Sequence, residues 1–306
     1  MDLENKIINE KDAFKLLRGI GAVDIHVHPR DMDQHQRFTI AEYRRLAKLY
    51  GVKFSGFMPN TDPAITNEET LLRYVEIAKK SDHTGVKFMI WFGLTSNPEQ
   101  IKEAVRLYGK YKEYIIGLKM YAGTSTGNLG LVEEEQQRAV YRVLSELNYE
   151  GVLAVHCEED KLMYPEKYNP QKPESWAEAR PEESEISSVN QNIRLAKEYR
   201  FPGWLHICHV SSHISVIEIN EARKQRMRIS CGATIQHLIF DTEEMAGMSR
   251  EGAVGLKCNP PVRGRDNRRW LLEDLKLGLI DVFESDFAPH TKEDKEKNDA
   301  SGVSNY

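Results

Sequence analysis

Short apolar runs rich in β-branched residues alternate with amphipathic helical stretches along nearly all of the 306-residue chain. That alternation is the pattern of a parallel sheet whose strands are joined by helical crossovers. Eight runs qualify as strands: AVDIHVH (22–28), VKFSGFMPN (52–60), KFMIWFGLT (87–95), YIIGLKMY (114–121), GVLAVHCE (151–158), WLHICHVS (204–211), RISCGAT (228–234) and IDVFESDFAPH (280–290). The helices between them have readable starts. TIAE at Thr39 and TNEE at Thr66 resemble capping boxes, and Asn97 before Pro98 is a cap followed by proline at the first helical position. Length alone permits one large α/β barrel or two ordinary domains. Eight β/α units predict a (β/α)8 TIM barrel, a single domain over 1–306.

Three segments break the rhythm. Residues 1–21 (with NEKDAFKLLRG) read as a helical lead-in, with no strand-rich segment to build an accessory β-sandwich. YPEKYNPQKPESWAEARPEES (164–184) reads as an excursion after the fifth strand, mostly solvated surface loop, with EISSVNQNIRLAKEY as the returning helix. The stretch 291–306 is a polar C-terminal tail, so the barrel is expected to lack its final helix.

A formal net charge of −5, with acids and bases interspersed, argues against nucleic acid or an anionic membrane surface as the main partner and favours a small molecule. The charged N-terminus has no signal-peptide core, and no apolar run approaches the roughly 20 residues that span a bilayer. A cytoplasmic protein is expected. Cys157, Cys208, Cys231 and Cys258 are scattered through apolar runs without a CxxC pair, which reads as reduced, buried thiols.

In this architecture the active site lies at the carboxyl ends of the strands. His26, His28, Lys119, His156, His209 and Asp286 all fall near such an end. His206 is an odd number of residues from His209, so a strand would turn it to the other face. A lone strand-end histidine is more often structural than a ligand. Two at i and i+2 share a face, and neutral imidazole with carboxylate suits zinc and other borderline divalent ions. Asp286 adds a carboxylate able to bind metal and to carry a proton. Lys119 would by default reach for solvent. Beside a dication, its neutral amine could instead take up carbon dioxide as a carbamate, turning a cation into a bridging carboxylate.

Seven motifs in order, DIHVHPR, MPNT, GLKMY, VHCEED, HICHVS, NPPVRG and SDFAPH, resemble the amidohydrolase superfamily and, within it, the dihydroorotase family. The resemblance implies a binuclear zinc site: His26, His28 and Asp286 on the more buried ion, His156 and His209 on the other, and carboxylated Lys119 bridging the two. It implies that Arg30 pairs with a substrate carboxylate, helped by Asn60 and His290, and that Asn259 helps bind the pyrimidine ring. The implied reaction interconverts dihydroorotate and N-carbamoyl-aspartate in pyrimidine synthesis, with Asp286 shuttling the proton. Asn60 could also simply cap a turn, and Arg263 is read as solvated and left out of the site. Phe287 stands at a position variable in the family. TIQHL (234–238) keeps only His237 of a Pro-His-His-Leu run. Two alternatives share the motifs: a hydantoinase or dihydropyrimidinase, and a non-catalytic barrel partnering aspartate transcarbamoylase. A homo-oligomer is also compatible.

Overall fold

The computed structural model describes residues 19–81, 84–124, 129–291 and 294–295. Each of the eight expected runs contains one strand: β1 (Ala22–Val27), β2 (Val52–Phe57), β3 (Lys87–Gly93), β4 (Ile115–Ala122), β5 (Val152–Cys157), β6 (Trp204–Ile207), β7 (Ile229–Thr234) and β8 (Val282–Glu284). They pair in chain order, every neighbour parallel. A parallel bridge between Val27 and Phe287, with His28 N–H donating to Phe287 O at 2.8 Å, brings the last strand back to the first. The result is a nearly closed (β/α)8 barrel. The strands at β6 and β8 are shorter than their runs because the chain leaves the sheet before His209 and Asp286, both with left-handed φ (37° and 47°).

The outer layer contains α1 (Ile40–Leu49), α2 (Glu68–Lys80), α3 (Pro98–Lys110), α4 (Glu134–Glu146), α5 (Glu182–Glu198), α6 (His213–Lys224) and α7 (Arg265–Lys276). Thr39 and Glu42 form the expected capping box of α1, and Asn97 caps α3. The cap of α2 is Asn67 rather than Thr66, because the extended Asn67 brings its side-chain oxygen onto the Thr70 N–H. One apolar layer lies between sheet and helices. A second fills the barrel: Met58, Trp91, Ala154 and Cys208. Trp91 donates to Ile25 O at 2.7 Å and needs a glycine beside it, since a Cβ at Gly117 would lie 2.7 Å from its ring and equally near Val152 O.

The excursion after β5 is largely exposed over 164–172, as expected, but packs down from Pro173 onward, where a solvated loop was expected. It folds into 3-10 turns at Asp160–Leu162, Pro165–Lys167 and Pro173–Ser175 and a one-turn helix, Trp176–Ala179. Trp176, Ala179 and Arg180 are buried. Trp176 is what draws it in, its indole N–H donating to Cys258 O at 2.9 Å. Among the described residues every named strand belongs to the barrel, so no β-sandwich is seen there. The lead-in through residue 18 and the tail from residue 296 lie outside the described residues. No described helix is long and apolar enough to cross a membrane. All four cysteines are free and buried, as expected.

Candidate metal centre

The barrel delivers six polar side chains to one rim. His26 is in β1 and His28 just beyond it; Lys119 and His156 come from β4 and β5; His209 and Asp286 follow β6 and β8 by two residues. Lys119 pairs in register with Ala154, so His156, two residues on, faces the same side. Past β6 and β8 the left-handed backbone at His209 and Asp286, costly for residues with a Cβ, re-aims both side chains into the barrel mouth. All six are buried.

His28 Nε2 lies 3.0 Å and His26 Nε2 3.4 Å from Asp286 Oδ1. One ligand atom from each of these three residues falls within 4.8 Å of the others. His156 Nδ1 is 3.2 Å from His209 Nε2, and the rings of His26 and His209 are 5.1 Å apart, so the two histidine pairs form one cluster. Lys119 Nζ reaches across the interior to Cys208 Sγ at 3.0 Å and lies 4.9 Å over the Tyr121 ring.

Burial pulls His26 down to about 4 and holds His28 and His209 well below the ordinary histidine range. The rings are therefore neutral at pH 7, the state in which imidazole binds metal. Burial raises Asp286. His26 Nδ1 pairs with Glu284 Oε2 and His28 Nδ1 with Asn60 Oδ1 at 2.6 Å, both oxygens suited to accept an Nδ1–H. Each Nε2 then presents a lone pair to the Asp286 carboxylate. Acceptors converging in this way repel one another unless a cation lies among them. Among the described residues His209 Nδ1 also has no hydrogen-bond partner. This nitrogen and oxygen donor set fits zinc or another borderline divalent ion.

The expected substrate groups divide in two. Arg30 is 1 % exposed, donates to Asn60 O at 2.9 Å and approaches His290 Nε2 at 3.5 Å, so these three come together beside His28. Burial lowers Arg30 only to about 10, leaving it charged, while burial and Arg30 hold His290 at about 2 and neutral. Asn259 belongs to a different wall, its Oδ1 accepting from Trp176 Nε1 at 3.0 Å.

Sequence reasoning passed over several buried groups. Arg263 is not solvated: it is 5 % exposed and donates from Nε to Ser211 Oγ at 2.9 Å. His206 does not face away from the site, because β6 ends at Ile207 and strict alternation ends with it. It bonds Ser230 Oγ at 2.9 Å and lies 3.3 Å from Glu284 Oε1. Glu158 is buried between Arg180 and His156; burial would raise it, but those neighbours hold it at about 2. Glu284 is fully buried. A glutamate inside an apolar strand, as in VFESD, was the available signal.

No family model matches the chain. It is 31 % identical over 301 residues to the dihydroorotase of Pyrococcus abyssi, covering 97 % of this chain and 62 % of that protein. To the dihydroorotase of Aquifex aeolicus it is 31 % identical over 288 residues, 93 % of this chain and 64 % of the other. The dihydroorotase of Brevibacillus brevis gives 28 % over 284 residues. Among solved structures, L-hydantoinase (dihydropyrimidinase) from Arthrobacter aurescens matches with a TM-score of 0.76 at 24 % identity, over 91 % of this chain and 60 % of that one. A dihydroorotase from Campylobacter jejuni matches at 0.66 and 21 %, over 89 % and 71 %. At those identities the structures speak for the fold. The chain spans between 62 % and 64 % of the length of these three curated relatives. By sequence over nearly all of its length the chain is similar to the dihydroorotases, and it shares its barrel with the solved L-hydantoinase and dihydroorotase.

Proposed function

We propose that the chain is a zinc-dependent dihydroorotase that opens the cyclic amide of dihydroorotate to N-carbamoyl-aspartate and closes it again, a step of pyrimidine synthesis in the cytoplasm. The observation that carries this reading is a buried arginine beside a cluster of cation ligands. Arg30 follows His28 by two residues and lies against Asn60 and His290, with its guanidinium out of water. A planar fork of this kind recognises a carboxylate in bidentate fashion. Dihydroorotate carries such a carboxylate on the ring to be cleaved. A hydantoin or dihydropyrimidine without one leaves Arg30 unmatched, which ranks the hydantoinase reading second even though solved hydantoinases share the fold.

In this reading His26, His28 and Asp286 hold one zinc ion and His156 and His209 the other. Lys119, once its amine has added to carbon dioxide and lost a proton, would serve as a carbamate ligand to both. Bound dications polarise a carbonyl and lower the pKa of water, which is the chemistry amide hydrolysis needs. The remaining work falls to side chains. Arg30 fixes the substrate by its carboxylate, with Asn60 O holding the guanidinium in place. Asp286 Oδ1, facing both β1 histidines, takes the proton of the attacking water and delivers it to the departing ring nitrogen; cyclisation reverses these transfers. Asn259, steadied by Trp176, contributes to the pyrimidine side. A homo-oligomer or a complex with aspartate transcarbamoylase is compatible with this role.

The test is metal analysis combined with assay of dihydroorotate hydrolysis, for the wild type and Lys119→Ala. The expected result is two metals per chain and hydrolysis by the wild type, with activity lost in the variant. Full activity in Lys119→Ala would remove the bridging role. Hydrolysis of dihydrouracil or hydantoin in place of dihydroorotate would favour the second reading, and a metal-loaded chain inert to all three would favour a non-catalytic scaffold.

A further inference from the structure

We infer that Glu284 is a positioning residue that couples the two halves of the cation cluster, setting the tautomer of His26 through its ring and the aim of His209 through its backbone. The inference rests on the reading of these histidines as metal ligands.

Glu284 ends β8 and is completely buried. Its Oε2 accepts from His26 Nδ1. Its Oε1 lies 3.1 Å from the backbone N–H of His209 and 3.3 Å from His206 Nε2. The His209 N–H donates to this side chain and two imidazole nitrogens face it, so it stands as the acceptor of the group and the proton of the His26 ring is placed on Nδ1. The lone pair is thereby forced onto Nε2, the nitrogen that faces Asp286 and the rest of the cluster. A carboxylate behind a ligand histidine both orients the ring and raises its basicity.

The second action is on the backbone. His209 holds φ at 37°, a conformation that favours glycine. An N–H donated to a buried carboxylate is a strong, charge-assisted bond that stabilises such a turn. One acid thus serves a β1 ligand and the ligand following β6, which the reading above assigns to different ions.

The sequence makes room for it on the opposite strand. A Cβ at Gly232 in β7 would fall 1.6 Å from Glu284 Oε1, so any other residue at 232 displaces the carboxylate. Gly232 therefore offers a way to move Glu284 without touching either histidine.

The test uses the full chain, 15N-labelled at histidine and stripped of metal, with long-range proton–nitrogen correlation reporting each ring's tautomer. His26, assigned with His26→Gln, is expected as the Nδ1–H form in the wild type. In Glu284→Gln and in Gly232→Ala that form should give way to a mixture. Zinc affinity, read by competition with a chelator, should fall about 10–100-fold in both variants. Far-UV circular dichroism checks that each variant is folded, and Glu284→Gln keeps the volume should the glycine variant not fold. An Nε2–H ring at His26 in the wild type overturns the inference outright, as does unchanged zinc affinity in folded Glu284→Gln. Because neither readout involves turnover, a chain with the expected tautomer and zinc affinity but no hydrolysis of dihydroorotate supports this inference while refuting the proposed activity.

Discussion

Arg30 is a cation taken out of water, and among the described residues no carboxylate forms an ion pair with it, Asp286 acting on it only from farther off. It has Asn60 O and the neutral His290 as neighbours, and among the described residues its Nε has no hydrogen-bond partner. A buried charge in that condition is costly, and an anion that fits it recovers the cost on binding. A charge-assisted bond contributes about 1.5–3 kcal/mol, so under the proposed activity Arg30→Gln should raise KM for dihydroorotate roughly 10–100-fold with a smaller effect on kcat. Arg30→Lys should recover little, because a point charge lacks the fork. Steady-state kinetics on both variants checks this, and an unchanged KM in Arg30→Gln would remove the carboxylate role. His237 makes a different kind of prediction. It accepts from Thr234 Oγ1 at 2.8 Å and donates to Pro260 O at 2.9 Å, and burial lowers it from 6.5 to about 4. Its folded value lies below its unfolded one. Between pH 6.5 and 4 the unfolded chain therefore binds a proton that the folded chain refuses, and stability is lost as pH falls through that window. For one such group the slope is about 1.4 kcal/mol per pH unit. Denaturant titrations at pH 7 and pH 5 should show a smaller loss in His237→Gln than in the wild type, and equal losses would mean the burial effect is not His237's.

The excursion after β5 shows where local sequence stops being informative. Strands and helix starts were legible because their signals are local: a period of two, and caps such as Thr39 with Glu42 three residues on. The segment 164–184 has no such period, and its proline and glutamate content resembles that of a loop. What folds it is Trp176, whose partners Cys258 and Asn259 lie 82 and 83 residues away. Lys257 Nζ sits 4.8 Å over the same indole, and the Arg180 guanidinium 5.5 Å. Partners remote in sequence likewise hid Arg263, held by Ser211 from 52 residues away, and Glu284, held by His26 from 258. Removing a buried aromatic side chain costs about 3–5 kcal/mol, so Trp176→Ala should lose that much stability and expose the segment to protease. Trp176→Phe keeps most of the packing and loses the indole hydrogen bonds, about 1 kcal/mol. Urea unfolding with limited proteolysis separates the two. An Ala variant as stable and as resistant as the wild type would return the excursion to the solvated loop that its composition suggests.

At the scale of the molecule, the six candidate ligands could be read from the sequence because a barrel gathers its carboxyl ends at one rim, so unusual polar residues there must be neighbours. How the cylinder is shut was not legible in the same way. β8 has three residues, and among the described residues its continuation meets β1 through one Val27–Phe287 bridge, the His28 N–H to Phe287 O bond and a 3.3 Å bond from Ser285 N–H to Asp24 Oδ1. The other strand pairs are joined by three or more register partners. His26 and His28 stand on one side of this seam and Asp286 on the other, so a cation held by all three fastens the barrel where its hydrogen bonding is thinnest. A ligand bound only to the folded state at 100 times its dissociation constant stabilises by about 2.7 kcal/mol, and chelation should lower Tm accordingly, with zinc restoring it. The loss should also be local. Amide exchange on removing metal should accelerate most in β8 and at the end of β1, while β3 to β5, paired on both sides, stay protected. Uniform acceleration across all eight strands would mean that the ion stabilises the barrel as a whole rather than its seam, and no acceleration at β8 would separate the cluster from barrel closure altogether.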